Sequence, residues 1–266
     1  MEIICMPPIP VFNREDMHTA YGTPYGTAHF NNQCQRNIIR LSGGLDSAIA
    51  LWFAVRTNPD AEFYPFTVMR TNPTDQEQWN RVDLRSYVEN IIDYVRADFP
   101  QAIIHDSVFQ NADYWWIHTF ENGRNESPYG WSQSVLSEYF KQKLCDNYRG
   151  LVIEYTGLTA NPPHHLLEPS DEQHRDELDP RTVFEDSVTC VHDDYIKIYY
   201  QYNVWRNADK RLPIWLANQH GILDDLVSIT RTCEGDQWNT QQFTQECMEC
   251  WWCKEKYWAL EAYDKN

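Results

Sequence analysis

The stretch Asn37-Ile38-Ile39-Arg40-Leu41-Ser42-Gly43-Gly44-Leu45-Asp46-Ser47 constrains the fold more than any other. Residues 37–41 read as a short strand, Ser42-Gly43-Gly44 breaks it, and residues 47–55 (SAIALWFAV) follow as a helix that is apolar on nearly every face. A helix without a polar face has to be covered on all sides, here against a sheet. The alternation then continues. Residues 61–69 (AEFYPFTVM) form a second strand candidate, and about 79–94 carry helical spacing, with Val82, Tyr87, Ile91, Ile92 and Val95 on one side. Residues 102–108 read as a third strand, 132–148 as a helix, and 151–156 as a fourth strand ending at Gly157. Strand–helix alternation of this kind predicts an α/β fold, a Rossmann-like parallel sheet with crossover helices.

The turn between the first strand and its helix also has a chemistry. Two glycines let the backbone bend sharply and come within hydrogen-bonding distance of a ligand. Outward N–H groups of a Ser/Gly-rich turn form a cradle for an anion, and the helix N-terminus adds favourable potential. Ser42 and Ser47 supply hydroxyls. Asp46 would repel a phosphate unless a cation intervenes, so its natural task is to hold Mg²⁺. The plain alternative is an ordinary Ser/Gly strand-to-helix turn.

Charge narrows the partners. There are 22 Lys and Arg against 39 Asp and Glu in 266 residues, a net charge of −17. Non-specific affinity for nucleic acid depends on cations neutralising phosphates, so direct nucleic-acid binding is disfavoured and a small-molecule substrate is favoured. No apolar run approaches the roughly 18 residues that a membrane helix needs. The N-terminal MEIICMPPIPVFNRED lacks a basic region and a small-residue cleavage site, so a signal peptide is not expected and the chain reads as cytoplasmic.

Eight cysteines divide into two groups. Cys5, Cys34, Cys145 and Cys190 are scattered and read as small buried apolar residues. Cys233, Cys247, Cys250 and Cys253 give Cys-x13-Cys-x2-Cys-x2-Cys, spacing that lets four thiolates converge on one tetrahedral ion. Four protein ligands leave no open position, which makes the expected Zn²⁺ structural. An iron–sulfur cluster would accept the same ligands, and buried free thiols are the third reading. A metal there would give Trp238, Phe243, Trp251, Trp252, Tyr257 and Trp258 a frame to pack on, as local core or as a protein interface.

Ser42-Gly43-Gly44-Leu45-Asp46-Ser47 resembles the SGGxDS pyrophosphate loop of the PP-loop (N-type) ATP pyrophosphatases. It is not a Walker loop, since no GKS or GKT follows the glycines. With one cysteine followed later by CxxCxxC, the chain over about residues 36–257 is similar to the 7-cyano-7-deazaguanine synthase (QueC-like) family. Asn207-Ala208-Asp209-Lys210 ahead of a helix resembles that family's lysine-headed helix, and Thr230-Arg231-Thr232-Cys233 its Thr-x-Ser-Cys run with the first metal ligand. Gly157-Leu158-Thr159 stands where a glycine-led turn faces nucleotide or substrate. The resemblance implies an adenine nucleotide alpha hydrolase-like fold. ATP would dock along Arg40, Leu41, Ser42, Gly43, Gly44, Leu45, Asp46 and Ser47, with Gly157 and Thr159 beside it. Ser42, Asp46 and Lys210 would be the catalytic groups. The substrates implied are ammonia and a carboxylate, 7-carboxy-7-deazaguanine, which ATP would activate on the way to an amide and then the nitrile preQ0. A homodimer is a further expectation.

The sequence departs from that family in three places. Pro162-Pro163-His164-His165 and an acidic stretch replace a Tyr-Pro-Asp-Cys-Arg segment linked to substrate recognition. The spacer after Cys233 is long and charged (Glu234-Gly235-Asp236-Gln237), and residues 1–36 have no counterpart. The acceptor therefore stays open between a deazaguanine and another nucleotide, protein or tRNA. The acidic stretch 160–186 reads as a solvated loop or as a lid, and the two histidines as surface residues. The expected organisation is an N-terminal extension or hairpin over 1–36, a nucleotide-binding domain over 37–190, and a helical metal-binding region over 191–266.

Overall fold

The computed structural model of the chain describes residues 18–69, 83–111, 118–119, 125–126, 135–137, 139–140, 143–144, 152–160, 162, 188–193, 197–205, 208–233, 235 and 239–264. Strands β1 (His18–Thr23) and β2 (Gly26–Asn31) form an antiparallel hairpin. Strand β3 (Arg36–Arg40) leads through the 42–44 turn into helix α1 (Leu45–Thr57), and β4 (Glu62–Met69) follows. Helix α2 (Arg85–Asp98) precedes β5 (Ile103–Ile104) and β6 (Val108–Asn111). Next come a small antiparallel ladder of β7 (His118–Thr119) with β8 (Asn125–Glu126), and strand β9 (Val152–Thr159). Strands β10 (Val188–Asp193) and β11 (Lys197–Trp205) lead to helices α3 (Arg211–Gln219), α4 (Leu223–Ile229) and α5 (Trp251–Ala262).

Seven strands make the central sheet, in the order β10-β11-β9-β3-β4-β5 with β6 also on β4. All neighbours are parallel except β10 with β11. The expected α/β architecture with a mostly parallel sheet is therefore present. From β3 the chain crosses to β4 on one side, while β9 lies on the other. Strand order reverses there, and in open α/β sheets such a point opens a crevice at the carboxyl ends of the strands.

Helix α1 is buried from Ser47 to Val55, as its uniform apolarity demands. It packs on the sheet face carrying Ile39, Phe63, Ile153 and Tyr155, together with Val88, Ile91, Ile92 and Val95 of α2 and Phe30 of β2. The opposite face carries Ile38, Phe66, Val68 and Val152, covered by Leu136, Phe140 and Leu144. Those three belong to the span read as a helix over 132–148, whose described positions are all helical. The rest of that span, residues 79–82, and all of 160–186 except Ala160 and Pro162 lie outside the described residues.

The third strand is broken, and Pro65 explains where. Glu62 N–H donates to the Gln35 carbonyl and Leu41 N–H to that of Phe66, so even-numbered positions of β4 bond toward β3. Odd positions face outward, as when Phe63 C=O accepts from His105 N–H. Pro65 has no N–H to offer on that outer side. The neighbour pairs as β5 opposite residues 62–63 and again as β6 opposite 66–69, with its gap beside the proline. Arg96 covers the break, donating to the Ile104 carbonyl and meeting Asp106 at 2.8 Å.

Both expected boundaries are crossed. Residues before 37 are part of the core. Phe30 is fully buried among Phe53, Tyr155 and Trp205, and Asn31 N–H donates to the Tyr155 hydroxyl at 2.9 Å. At the other end β10 spans position 190, and β11 continues the sheet to Trp205. Among the described residues no helix is long and apolar enough to cross a membrane.

Candidate functional site

The 42–47 turn leaves β3 at the switch point. Gly43 takes a φ of +77°, a left-handed conformation that glycine adopts without strain. The Ser42 and Ser47 hydroxyls lie 3.1 Å apart, and Ser47 Oγ also donates to the Gly44 carbonyl at 3.0 Å. Gly44 N–H reaches Ser42 Oγ, and Leu45 N–H reaches Thr232 Oγ1, each at a long 3.4 Å. Hydrogen bonds of that length to rotatable hydroxyls are weak and are readily exchanged for an anionic acceptor. The donor set suits a phosphate.

Strand β9 runs past the end of β3 and lies against the start of α1. A Cβ on Gly157 would stand 2.8 Å from both the Cα and the N of Ser47. Backbone cannot yield there as a flexible side chain could. Gly157→Ala is expected to cost about 1–3 kcal/mol by overpacking and to lower the melting temperature by several degrees, measured calorimetrically. Thr159 is buried and pairs with Trp205, whose indole N–H donates to the Asp46 carbonyl at 3.0 Å.

Asp46 and Lys210 are 164 positions apart in sequence and meet here. Lys210 Nζ lies 2.8 Å from Asp46 Oδ2 and 3.3 Å from Glu255 Oε2. The Lys210 and Glu255 side chains are each 3 % exposed, and Asp46 is 18 % exposed. Burial works against the ammonium, but the Asp46 and Glu255 carboxylates outweigh it and hold Lys210 well above the ordinary lysine range. The lysine is therefore a permanent cation at the mouth of the turn, held between two carboxylates.

Arg40 and Leu41 are engaged elsewhere. The Arg40 guanidinium pairs with fully buried Glu154, which also accepts from Ser137 Oγ at 2.6 Å, on the sheet face away from α1. Leu41 is core, its N–H and C=O used by Phe66 and Thr67.

The Cys233, Cys247, Cys250 and Cys253 sulfurs lie within 4.8 Å of one another. Ligands at about 2.3 Å around a tetrahedral ion would sit roughly 3.8 Å apart, so the set can hold a metal ion such as zinc. Backbone N–H groups already point at sulfur, from Gly235 and Cys247 to Cys233 and from Cys250 to Cys247, at 3.2–3.3 Å. Such donors stabilise thiolates. Hydrogen bonds from the Cys250 and Cys253 thiols push Cys233 toward the thiolate, whereas Cys253, bonded to Cys233, is pushed up.

This cluster is tied to the turn. Arg231 N–H donates to the Gly43 carbonyl at 2.9 Å, and Thr232 carries the hydroxyl facing Leu45. The Arg231 guanidinium holds the Phe243 and Gln245 carbonyls at 3.1 and 2.9 Å. Glu246 accepts from Thr232 N–H, Lys256 and Tyr257, and burial with that last bond pushes the Tyr257 hydroxyl up to about 12.

Sequence reading missed Glu255, Thr232 as a brace, Glu246 and Trp205. Glu255 had a visible signal. Trp251, Glu255 and Ala259 fall four apart on one face of α5 and are all buried, so a carboxylate occupies a core position. Buried charge at such a position calls for a partner. No protein-family model matches the chain, and no curated protein matches it at a significant level.

Proposed function

We propose that this chain is an ATP-dependent, carboxylate-activating enzyme of the PP-loop type, similar to the 7-cyano-7-deazaguanine synthases. One observation carries the reading. The lysine that precedes α3 stands 2.8 Å from the aspartate of the Ser42–Ser47 turn, at the carboxyl ends of parallel strands where their order reverses. A permanent cation, loosely engaged amides and a carboxylate together suit a nucleotide triphosphate with its metal ion.

In this reading the amides of residues 43–45 and the Ser42 and Ser47 hydroxyls take the phosphates, and Lys210 balances their charge. Asp46 would hold Mg²⁺, which supplies further charge neutralisation on the phosphates. An oxygen of the substrate carboxylate attacks the α-phosphorus, the bond to the bridging oxygen breaks, and pyrophosphate departs. Ammonia then attacks the acyl carbon of the adenylate, a proton is lost, and AMP leaves with the C–O electron pair to give the amide. The amide oxygen attacks the α-phosphorus of a second ATP, pyrophosphate departs with a proton lost from nitrogen, and loss of AMP and the remaining N–H proton yields the nitrile. Preorganised donors at the turn would supply most of the rate. The four cysteines would hold structural Zn²⁺ and take no part in bond making.

A second reading keeps the ATP chemistry and changes the acceptor. Pro162-Pro163-His164-His165 stands where the similar family carries its substrate segment, which favours another carboxylate. Incubation with Mg·ATP, ammonia and 7-carboxy-7-deazaguanine, followed by mass spectrometry, separates the two. The first predicts preQ0 or its amide with AMP and pyrophosphate. ATP binding with no base product moves the assignment to the second, and absence of ATP binding removes both.

A further inference from the structure

Glu255 has no task in the chemistry above, yet it is a carboxylate buried two residues beyond a cysteine of the metal cluster and 3.3 Å from Lys210. We propose that Glu255 is a positioning residue of the nucleotide site, keeping the Lys210 ammonium paired so that Asp46 can turn to the divalent cation that accompanies ATP. The inference rests on the ATP-dependent reading.

Lys210 is almost wholly buried and is anchored by the backbone at the head of α3, so it cannot follow its partner into solvent. Were Asp46 its sole partner, each commitment of Asp46 to a cation would strand a buried ammonium, which is strongly unfavourable. Glu255 removes that cost. It comes from α5, a different element from the turn, and α5 is capped by Cys250 and contains Cys253, so the cysteine cluster fixes where the carboxylate stands. The charges agree with this role. The Lys210 ammonium meets two carboxylates, so one can stay with it while the other turns to a cation. With glutamine at 255 Lys210 would lose one of these carboxylates and hold Asp46 more tightly.

A purely structural role for Glu255, bonding α5 to the head of α3, would show in stability alone. The test therefore reads the magnesium dependence of ATP binding. The full-length, metal-loaded protein and its Glu255→Gln and Glu255→Asp variants are titrated with ATP by calorimetry at a series of Mg²⁺ concentrations. Metal content and melting temperature are measured on the same samples. In Glu255→Gln the Mg²⁺ concentration for half-maximal binding is expected to rise about tenfold, with one metal per chain retained. Glu255→Asp, which keeps the charge, is expected to stay within about threefold of wild type. An unchanged Mg²⁺ midpoint in a folded Glu255→Gln variant would overturn the role. Should that variant not fold, a shift in Glu255→Asp as large as tenfold would overturn it instead. A wild-type protein that binds no ATP at any Mg²⁺ concentration sinks the ATP-dependent reading, and this inference with it. Wild-type binding combined with an indifferent Glu255→Gln sinks this inference alone.

Discussion

Cys253→Ser, or removal of the metal by a chelator, is expected to unfold residues 230–262 as a unit and to lower the melting temperature by more than ten degrees. The size follows from what the cluster restrains. Gln241, Gln242, Phe243 and Met248 all have φ between +48° and +66°. Left-handed backbone costs a non-glycine residue about 1–2 kcal/mol, so four of them store a sum comparable to much of a domain's stability. Two guanidinium bonds from Arg231 and the contacts of Glu246 do not repay it. A structural zinc, on the order of 10 kcal/mol, does. Differential scanning calorimetry with metal analysis by mass spectrometry checks this, and a metal-free Cys253→Ser protein with a wild-type transition would mean the thiols are ordinary core.

Loss of the cluster is also expected to weaken ATP binding by at least about tenfold, because the turn leans on it. The Gly43 carbonyl is held by Arg231, the Leu45 amide by Thr232, and Lys210 by Glu255, and all three supports lie beside the four cysteines in sequence. Glycines 43 and 44 give the turn its shape, and they also leave it with high backbone freedom when unsupported. A rigid frame therefore has to come from outside the strand–turn–helix unit. That accounts for a four-cysteine cluster able to hold a metal standing beside the glycine turn.

How much of this could be read from sequence depended on how local the signal was. Strands β3, β4 and β9 and helix α1 follow from short runs of apolar residues, and the structure places them within a few residues of expectation. The four cysteines were legible because spacing alone specifies convergence. Strand β11 was missed although Lys197–Trp205 (KIYYQYNVW) is rich in the aromatic and β-branched residues that favour strands. A boundary placed at 190 by the end of the acidic stretch hid it. The break between β5 and β6 needs the outward-facing position of Pro65, which depends on register and cannot be seen in one strand alone. The cluster of Asp46, Lys210 and Glu255 joins three distant segments. Asp46 was legible from the turn itself, Lys210 only through a resemblance, and Glu255 not at all. Arg40 shows the converse. The resemblance put it beside the nucleotide, and the two-residue period of β3 sends its side chain to Glu154 on the face away from α1.

Asp46→Asn is expected to abolish ATP turnover while leaving the fold in place. The substitution keeps the size of the side chain and one oxygen, so α1 still packs and Lys210 still has Glu255 at 3.3 Å. Removing one of two carboxylates from a buried ammonium should cost about 1–2 kcal/mol, which leaves a cooperative transition only a few degrees lower. Chemistry is different, because an amide cannot bear the charge that a divalent cation requires. Loss of an electrostatic element of this kind lowers turnover by about 10²–10³-fold. Pyrophosphate release in the presence of ammonia and the carboxylate substrate is the measurement, made beside calorimetry on the same preparation. A folded Asp46→Asn enzyme within about tenfold of wild type would remove Asp46 from the mechanism. The turn would then be an anion cradle that works through its amides and Lys210 alone.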